Sequence, residues 1–185
     1  WADLRLGAFT HPDQLRWESL TLAEVMRETG RDAVDTICDL LLAENLGVAQ
    51  VTSGPWGETL PPFVRHPVGM VGTDSTFLGE KPSPRTYGTF PRILGQFVRD
   101  QQLLSLEEAV RKMTSAPAAR LGLTDRGLLR NGYAADLVVF DPARVRSNAT
   151  YDGPRLCPDG TEGGGGNGEG TRGAGPHRTA ARDCA

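Results

Sequence analysis

The sequence lacks the excess of positive charge that nucleic-acid-binding and membrane-surface proteins carry. Its formal net charge is −3 at pH 7, so neither nucleic acid nor membrane is expected as a partner. No apolar stretch approaches the roughly 20 residues that a membrane-spanning helix needs. The first residues have neither the basic nor the apolar region of a signal peptide. These absences favour a cytoplasmic location.

The sequence is also poor in side chains that hold transition metals. Its few histidines and cysteines are scattered singly along the chain: His11, His66, His177, Cys38, Cys157 and Cys184. None has the closely spaced partner that a zinc site built from neighbouring residues requires. They therefore predict no metal site by themselves. Cys38 falls on the apolar face of a predicted helix, and we interpret it as a buried thiol.

Capping residues predict where several helices begin. Thr21 and Glu24 have the spacing of a capping box, and Gly30 is suited to end the helix that they start. Asp32 and Ser105 are predicted to cap two further helices. The predicted core face of the helix after Asp32 consists of Val34, Ile37, Cys38, Leu41 and Leu42. Another helix is predicted over residues 89–100, with an apolar stripe of Phe90, Ile93, Leu94, Phe97 and Val98.

Short apolar runs predict the strands. Residues 48–52 and 68–73 each lead into a loop that contains Gly and Pro, and helical segments separate them. This order predicts an α/β fold with parallel strands, whose carboxyl ends carry the functional loops. A third strand is predicted over 137–140. Residues 158–185 are rich in Gly and have no apolar periodicity, so we expect them to be disordered.

One carboxylate stands where a predicted strand ends. Asp74 follows the run 68–73, and the loop behind it contains Arg85 and Tyr87, while Ser53 follows the other strand. Catalytic groups of α/β enzymes often occupy such positions. An aspartate after a strand can equally serve only to cap the next turn. The residues alone leave both interpretations open.

Four segments in this order resemble the carboxyl-terminal part of a known family. They are residues 72–75 (GTDS), 84–95 (PRTYGTFPRILG), 106–123 (LEEAVRKMTSAPAARLGL) and 132–141 (GYAADLVVFD). Together they resemble the N-acyl-D-amino-acid deacylases, or D-aminoacylases, of the amidohydrolase superfamily. The resemblance covers roughly residues 1–157. The last segment is typical of amidohydrolases in general, so it indicates the superfamily more than the substrate.

The resemblance implies the closing part of a (β/α)8 barrel of TIM type, joined to a small β domain. Residues 48–52 would be the seventh strand of this barrel and residues 68–73 the eighth. Asp74 matches the aspartate that moves protons between a metal-activated water and the leaving amine. Arg85 matches an arginine that binds the substrate's free carboxylate. Tyr87 and Ser53 would line the substrate pocket.

The resemblance also implies zinc and a small-molecule substrate, an N-acyl amino acid. The main zinc ligands would lie upstream of Trp1, and Asp74 could be a secondary ligand. A complete barrel takes roughly 250 residues, so the chain would hold only part of one, and we expect residues 1–185 alone to be inactive. Phe90, Leu94 and Phe97 would then lack partners.

We divide the chain into a barrel part (1–126), a partial small β domain (127–157) and a tail (158–185). We hypothesise that the tail is a shifted reading frame, which the absence of a valine-rich strand in the neighbouring frame would contradict. Two other functions stay open. One is a cyclic-amide hydrolase of the dihydropyrimidinase type, and the other is a non-catalytic interaction domain. The sequence predicts no oligomeric state.

Overall fold

The computed structural model describes residues 1–52, 54, 56–75, 77, 79 and 81–164. The first half contains strand β1 (Leu4–Gly7), a 3₁₀ helix (Pro12–Trp17), helices α1 (Leu22–Thr29) and α2 (Ala33–Ala43), and strand β2 (Ala49–Thr52). The second half contains helices α3 (Trp56–Arg65) and α4 (Arg85–Arg92), a π-helix (Ile93–Asp100), helices α5 (Leu106–Met113) and α6 (Ser115–Arg120), and strands β3 (Leu137–Phe140) and β4 (Thr161–Gly164).

The capping residues set the helix starts as predicted. Thr21 and Glu24 form a complete capping box at α1, and Gly30 ends this helix in the left-handed conformation that glycine adopts without strain. The Asp32 side chain accepts from the Asp35 amide at α2. The Ser105 hydroxyl likewise accepts from the Glu108 amide at α5. Each of these bonds satisfies an amide that has no partner inside its helix.

The strands pair differently from the prediction. β1 and β2 are antiparallel, with Leu4 opposite Thr52 and Gly7 opposite Ala49, and β3 and β4 are antiparallel as well. The parallel layout predicted for residues 48–52 is therefore wrong for the described strands. Along the chain, two helices that pack together, α1 and α2, connect β1 to β2. A connection with one helix usually brings the chain back to start the next strand in the same direction, which gives parallel strands. Two helices joined by a short loop reverse the chain once more, so the next strand runs antiparallel.

A first hydrophobic core lies between β1, α1 and α2. Its buried members are Leu6, Phe9, Trp17, Leu22, Val25 and Leu40. The face of α2 that enters this core carries Thr36 and Leu40, so the predicted core face is wrong in part. Val34 and Leu42 are 70% and 78% exposed, and Cys38 is exposed rather than buried. Because α2 has apolar residues on two faces, its apolar spacing alone could not decide which face packs.

A second core lies between the π-helix, α5 and the chain around Val145. Its buried members are Ile93, Leu94, Phe97, Ala109 and Val145. The expectation that Leu94 and Phe97 lack partners is therefore wrong, although Phe90 is 41% exposed. Two glycines let the backbone at residues 145–149 approach the helices. A Cβ at Gly95 would lie 2.5 Å from the Val145 carbonyl oxygen, and a Cβ at Gly88 would collide with Ser147 Oγ.

Several boundaries differ from the prediction. The helix expected over 89–100 begins four residues earlier, at Arg85, and continues into the π-helix. The strand 137–140 is present as predicted, and residues 161–164, assigned to a disordered tail, pair with it as β4. The rest of that tail, 165–185, lies outside the described residues. Among the described helices, none is long and apolar enough to cross a membrane.

The run 68–73, predicted as a strand, has no regular secondary structure. A strand is stabilised by hydrogen bonds to a neighbouring strand. Within the described residues this run pairs with no other strand. The Val71 amide donates instead to the Lys112 carbonyl of α5 at 3.1 Å. The run is therefore held by a helix, and the residue that follows the run is Asp74.

Candidate active site

Asp74 projects from the end of the run into solvent. Its side chain is 93% exposed, and its backbone has a φ of 47°. This left-handed conformation is uncommon for residues with a Cβ, but aspartate tolerates it better than most. The turn at Asp74 directs the chain away from the run and into the loop that precedes α4.

Arg85 contacts Asp74 through two separate bonds. Its Nη2 donates to the Asp74 carboxylate at 3.2 Å, and its Nε donates to the Asp74 main-chain carbonyl at 3.2 Å. The sequence predicted that Arg85 lies in the loop, but it is the first residue of α4. Because both side chains are largely exposed, such a pair contributes only about 0–1 kcal/mol to stability. The contact orients the two side chains and opens easily.

The other two predicted site residues have different outcomes. The Tyr87 ring meets the Phe77 ring edge to face, with 6.3 Å between centroids and an angle of 88°. This aromatic contact joins the loop after Asp74 to the first turn of α4. Ser53 lies outside the described residues.

The loop between Asp74 and Arg85 is fastened to distant parts of the chain. The Glu18 carboxylate accepts from the Phe9 amide at 3.2 Å and from the Lys81 amide at 3.4 Å. Arg155 Nη2 donates to the Gly79 carbonyl at 3.2 Å. Gly79 has a φ of 71°, and a Cβ there would lie 2.8 Å from the Ala8 Cα. Gly79 therefore packs tightly against Ala8, the residue that follows β1.

A charged cluster on α5, which the sequence did not single out, supports the run before Asp74. It consists of Glu108, Arg111 and Lys112, which we call the α5 cluster. Hydrogen bonds from Arg111 lower the pKa of Glu108 to about 2, although partial burial opposes the shift. Lys112 is only 1% exposed. Glu108 and Lys112 have the i, i+4 spacing of an ordinary surface pair, so the sequence carried no signal that this lysine is buried.

The sequence pattern of the amidohydrolase family matches residues 22–156. The chain belongs to this family. It is 42% identical over 134 residues to the N-acyl-D-aspartate deacylase of Alcaligenes xylosoxydans xylosoxydans. This match covers 68% of this chain and 26% of that protein. It is 55% identical over 85 residues to the D-aminoacylase of the same organism, covering 46% of this chain and 18% of that protein.

Solved amidohydrolase structures share the fold of this chain. The N-acyl-D-glutamate deacylase of Bordetella bronchiseptica, solved with zinc and a phosphonate that mimics the tetrahedral intermediate, is 33% identical and superposes with a TM-score of 0.76. The match covers 87% of this chain and 32% of that structure. A D-aminoacylase structure gives a TM-score of 0.71 at 36% identity, over 80% of this chain and 30% of that one. The amidohydrolase chain thus spans about a third or less of its relatives.

The described part of this amidohydrolase chain forms no metal centre. Nowhere in it do three or more His, Cys, Asp or Glu side chains come together in a way that could hold an ion. The two described histidines use their Nδ1 atoms locally. His11 accepts from the Asp13 amide and His66 from the Val68 amide. The side chains present therefore do not fit a zinc ion by themselves.

One cleft of about 440 Å³ lies away from Asp74. It is lined by residues 67–70, by Arg111 and by Ala116, Ala119 and Arg120 of α6. None of the predicted site residues lines it. The cleft lies where the start of the run, residues 67–70, faces α5 and α6, and Asp74 follows the other end of the run.

Proposed function

We propose that this chain is part of a zinc-dependent N-acyl-D-amino-acid deacylase, a hydrolase that cleaves the amide bond between an acyl group and a D-amino acid. The chain would form the closing part of the (β/α)8 barrel. The proposal is supported by the two deacylase relatives and by the zinc and phosphonate of the B. bronchiseptica structure. Because the described side chains form no metal site, the chain's own contribution is that of its side chains toward the substrate.

The observation that carries the proposal is the contact between Arg85 and Asp74. The guanidinium that would hold a substrate carboxylate lies 3.2 Å from the carboxylate that would move a proton. In an N-acyl amino acid, the amide nitrogen is only two bonds, about 2.5 Å, from the carboxylate carbon. A substrate bound to Arg85 therefore places its scissile amide within reach of Asp74.

The roles of the two residues follow from this placement. The carboxylate of Asp74 accepts a proton from the attacking water as the water oxygen bonds to the acyl carbon. The same carboxyl group then returns the proton to the nitrogen as the C–N bond breaks, which releases the acid and the free amino acid. Arg85 holds the substrate by two parallel bonds to its carboxylate. Tyr87 and Ser53 would complete the walls of the pocket.

A cyclic-amide hydrolase is the alternative that this contact disfavours. A hydantoin has no free carboxylate, so Arg85 would have no anionic group to bind. Comparing N-acetyl-D-amino acids with hydantoins, with the protein in its natural length, separates the two activities. A non-catalytic interaction domain would hydrolyse neither substrate.

Two substitutions test the residue roles. Asp74→Asn keeps the size of the side chain but cannot accept the proton, so we expect kcat to fall by about 10²–10⁴-fold with little change in KM. Arg85→Gln should mainly raise KM, because it removes ground-state binding of the carboxylate. Arg31→Gln is the matched control, since Arg31 forms an exposed ion pair with Asp39. Unchanged kcat in Asp74→Asn would refute the role of Asp74.

A further inference from the structure

Lys112 is a buried lysine whose ammonium group makes two hydrogen bonds and one ion pair. It lies on α5 and is 1% exposed. Its Nζ donates to the His66 carbonyl, and to the Gly69 carbonyl at 2.9 Å. The Glu108 carboxylate lies 3.6 Å from the same nitrogen. Burying an ammonium group is costly unless it is paired and hydrogen-bonded, and here two carbonyls and a carboxylate surround it.

The side chains of Arg111 and Lys112 donate to backbone carbonyls of residues 66–69, at and just before the start of the run that leads to Asp74. Besides the two bonds from Lys112, Arg111 Nη2 donates to the Pro67 carbonyl at 3.0 Å. The Val71 amide donates to the Lys112 carbonyl at 3.1 Å. Four hydrogen bonds therefore attach residues 66–71 to a single helix turn. They occupy backbone groups of residues 66–71, a segment that pairs with no described strand.

The attachment stops three residues before Asp74. Beyond Val71, the side chain of Arg85 contacts Asp74 from the other direction. Asp74 is thus placed by two elements: α5 holds the chain before it, and Arg85 of α4 contacts it directly. Since the Arg85 contact is exposed and easily broken, the buried bonds of Lys112 are the firmer of the two supports.

We propose that Lys112 is a positioning residue for Asp74: its buried ammonium group fixes the backbone from which the catalytic carboxylate projects. This inference rests on the proposed function. A lysine suits the task because its ammonium group can donate to two carbonyls and pair with a carboxylate at the same time. Methionine has a similar length and fills the same space, but it leaves the His66 and Gly69 carbonyls without their donor.

The test uses the protein in its natural length and two readouts. In Lys112→Met we expect kcat for an N-acetyl-D-amino acid to fall about 10- to 100-fold, because a small misplacement of a reacting group costs that much. KM should stay within about twofold, because Arg85 still binds the substrate carboxylate. Hydrogen exchange at the amides of Gly69 and Val71 should become faster. Lys112→Gln, which restores one donor group, should recover part of kcat.

Glu44→Gln is the matched control, because it removes a buried charge at a residue that makes no bond to the run before Asp74. Glu44 is 6% exposed and accepts three hydrogen bonds from Thr10 and His11. This variant should lose stability without a change in kcat. If Lys112→Met does not fold, Lys112→Gln decides instead, because it keeps one donor group and should still lower kcat and speed exchange at Gly69 and Val71.

The outcomes separate this inference from the proposed function. A natural protein that hydrolyses no N-acyl amino acid overturns the proposed function, and the catalytic consequence of Lys112 with it. An active protein whose Lys112→Met variant keeps its kcat, with unchanged exchange at Gly69 and Val71, overturns the positioning role alone. A rise in KM at constant kcat would also overturn it, since that result indicates weaker substrate binding and not a displaced Asp74.

Discussion

The close approach of α4 to the backbone around Ser147 gives a prediction with a defined sign. Gly88 is buried in α4, and a Cβ at this position would come closer than 3.0 Å to Ser147 Oγ. Replacing glycine by alanine inside a helix normally stabilises a protein by about 0.5–1 kcal/mol. Forcing an extra methyl group into a packed site costs about 1–3 kcal/mol. Gly88→Ala should therefore lower the free energy of unfolding by about 1 kcal/mol.

Removing the Ser147 hydroxyl should relieve this collision. The next atoms near the added Cβ are Ala149 Cβ at 3.2 Å and Ser147 Cβ at 3.5 Å, which small shifts can accommodate. In a Ser147→Ala background, Gly88→Ala should thus be neutral or slightly stabilising, and the coupling energy between the two substitutions should be about 1–2 kcal/mol. The hydrogen bond that Ser147 Oγ accepts from the Ala149 amide is lost in both arms of the cycle and cancels.

Urea unfolding of the four variants of this cycle, at natural length and with equal m-values, measures the coupling energy. Gly95→Ala is the control, because its added Cβ would collide with the Val145 carbonyl oxygen of the backbone, which no side-chain substitution can remove. Its cost should be the same with and without Ser147→Ala. Additivity of Gly88→Ala and Ser147→Ala within about 0.5 kcal/mol, or a stabilising effect of Gly88→Ala alone, would refute the packing described here.

Two further predictions concern stability. Leu22→Ala should lower the free energy of unfolding by about 2–5 kcal/mol, because Leu22 is fully buried. Val34→Ala, at an exposed position, should change it by less than about 0.5 kcal/mol. Equal losses would contradict the packing of α1 and α2. The pKa of Glu108 lies near 2, below the ordinary 4.5, so its contribution is complete above pH 4.5 and disappears as the pH falls toward 2. Acid unfolding curves of Glu108→Gln should be flatter in that range, and curves parallel to those of the unsubstituted protein would argue against the ion pair with Arg111.

The parts of the fold that were predictable from the sequence depend on local chemistry. Thr21, Asp32 and Ser105 each accept a hydrogen bond from an amide three residues further on. The start of each of these helices therefore depends on residues that are close together in the sequence. The start of α4 was missed for the corresponding reason. Pro84 precedes it and makes no side-chain capping bond, so the sequence carries no start signal there.

The parts that were not predictable depend on contacts between distant segments. The antiparallel pairing of β1 with β2 and the burial of Leu94 and Phe97 follow from how helices and returning chain pack, which periodicity does not specify. Lys112 has the composition and spacing of a surface residue, and only the His66 and Gly69 carbonyls reveal its burial. Asp74 and Arg85 were selected by family resemblance, because ten residues separate them in the sequence and no local pattern indicates their contact.

The packing around Gly79 has a consequence for engineering. Its neighbours come from two distant regions: Ala8 and Glu18 near the beginning of the chain, and Arg155 near the end of the described residues. A loop held in this way is not a module that can be exchanged by itself. Grafting residues 75–84 from a relative with another substrate preference would transfer its sequence without its supports, unless the residues at positions 8, 18 and 155 were transferred with it.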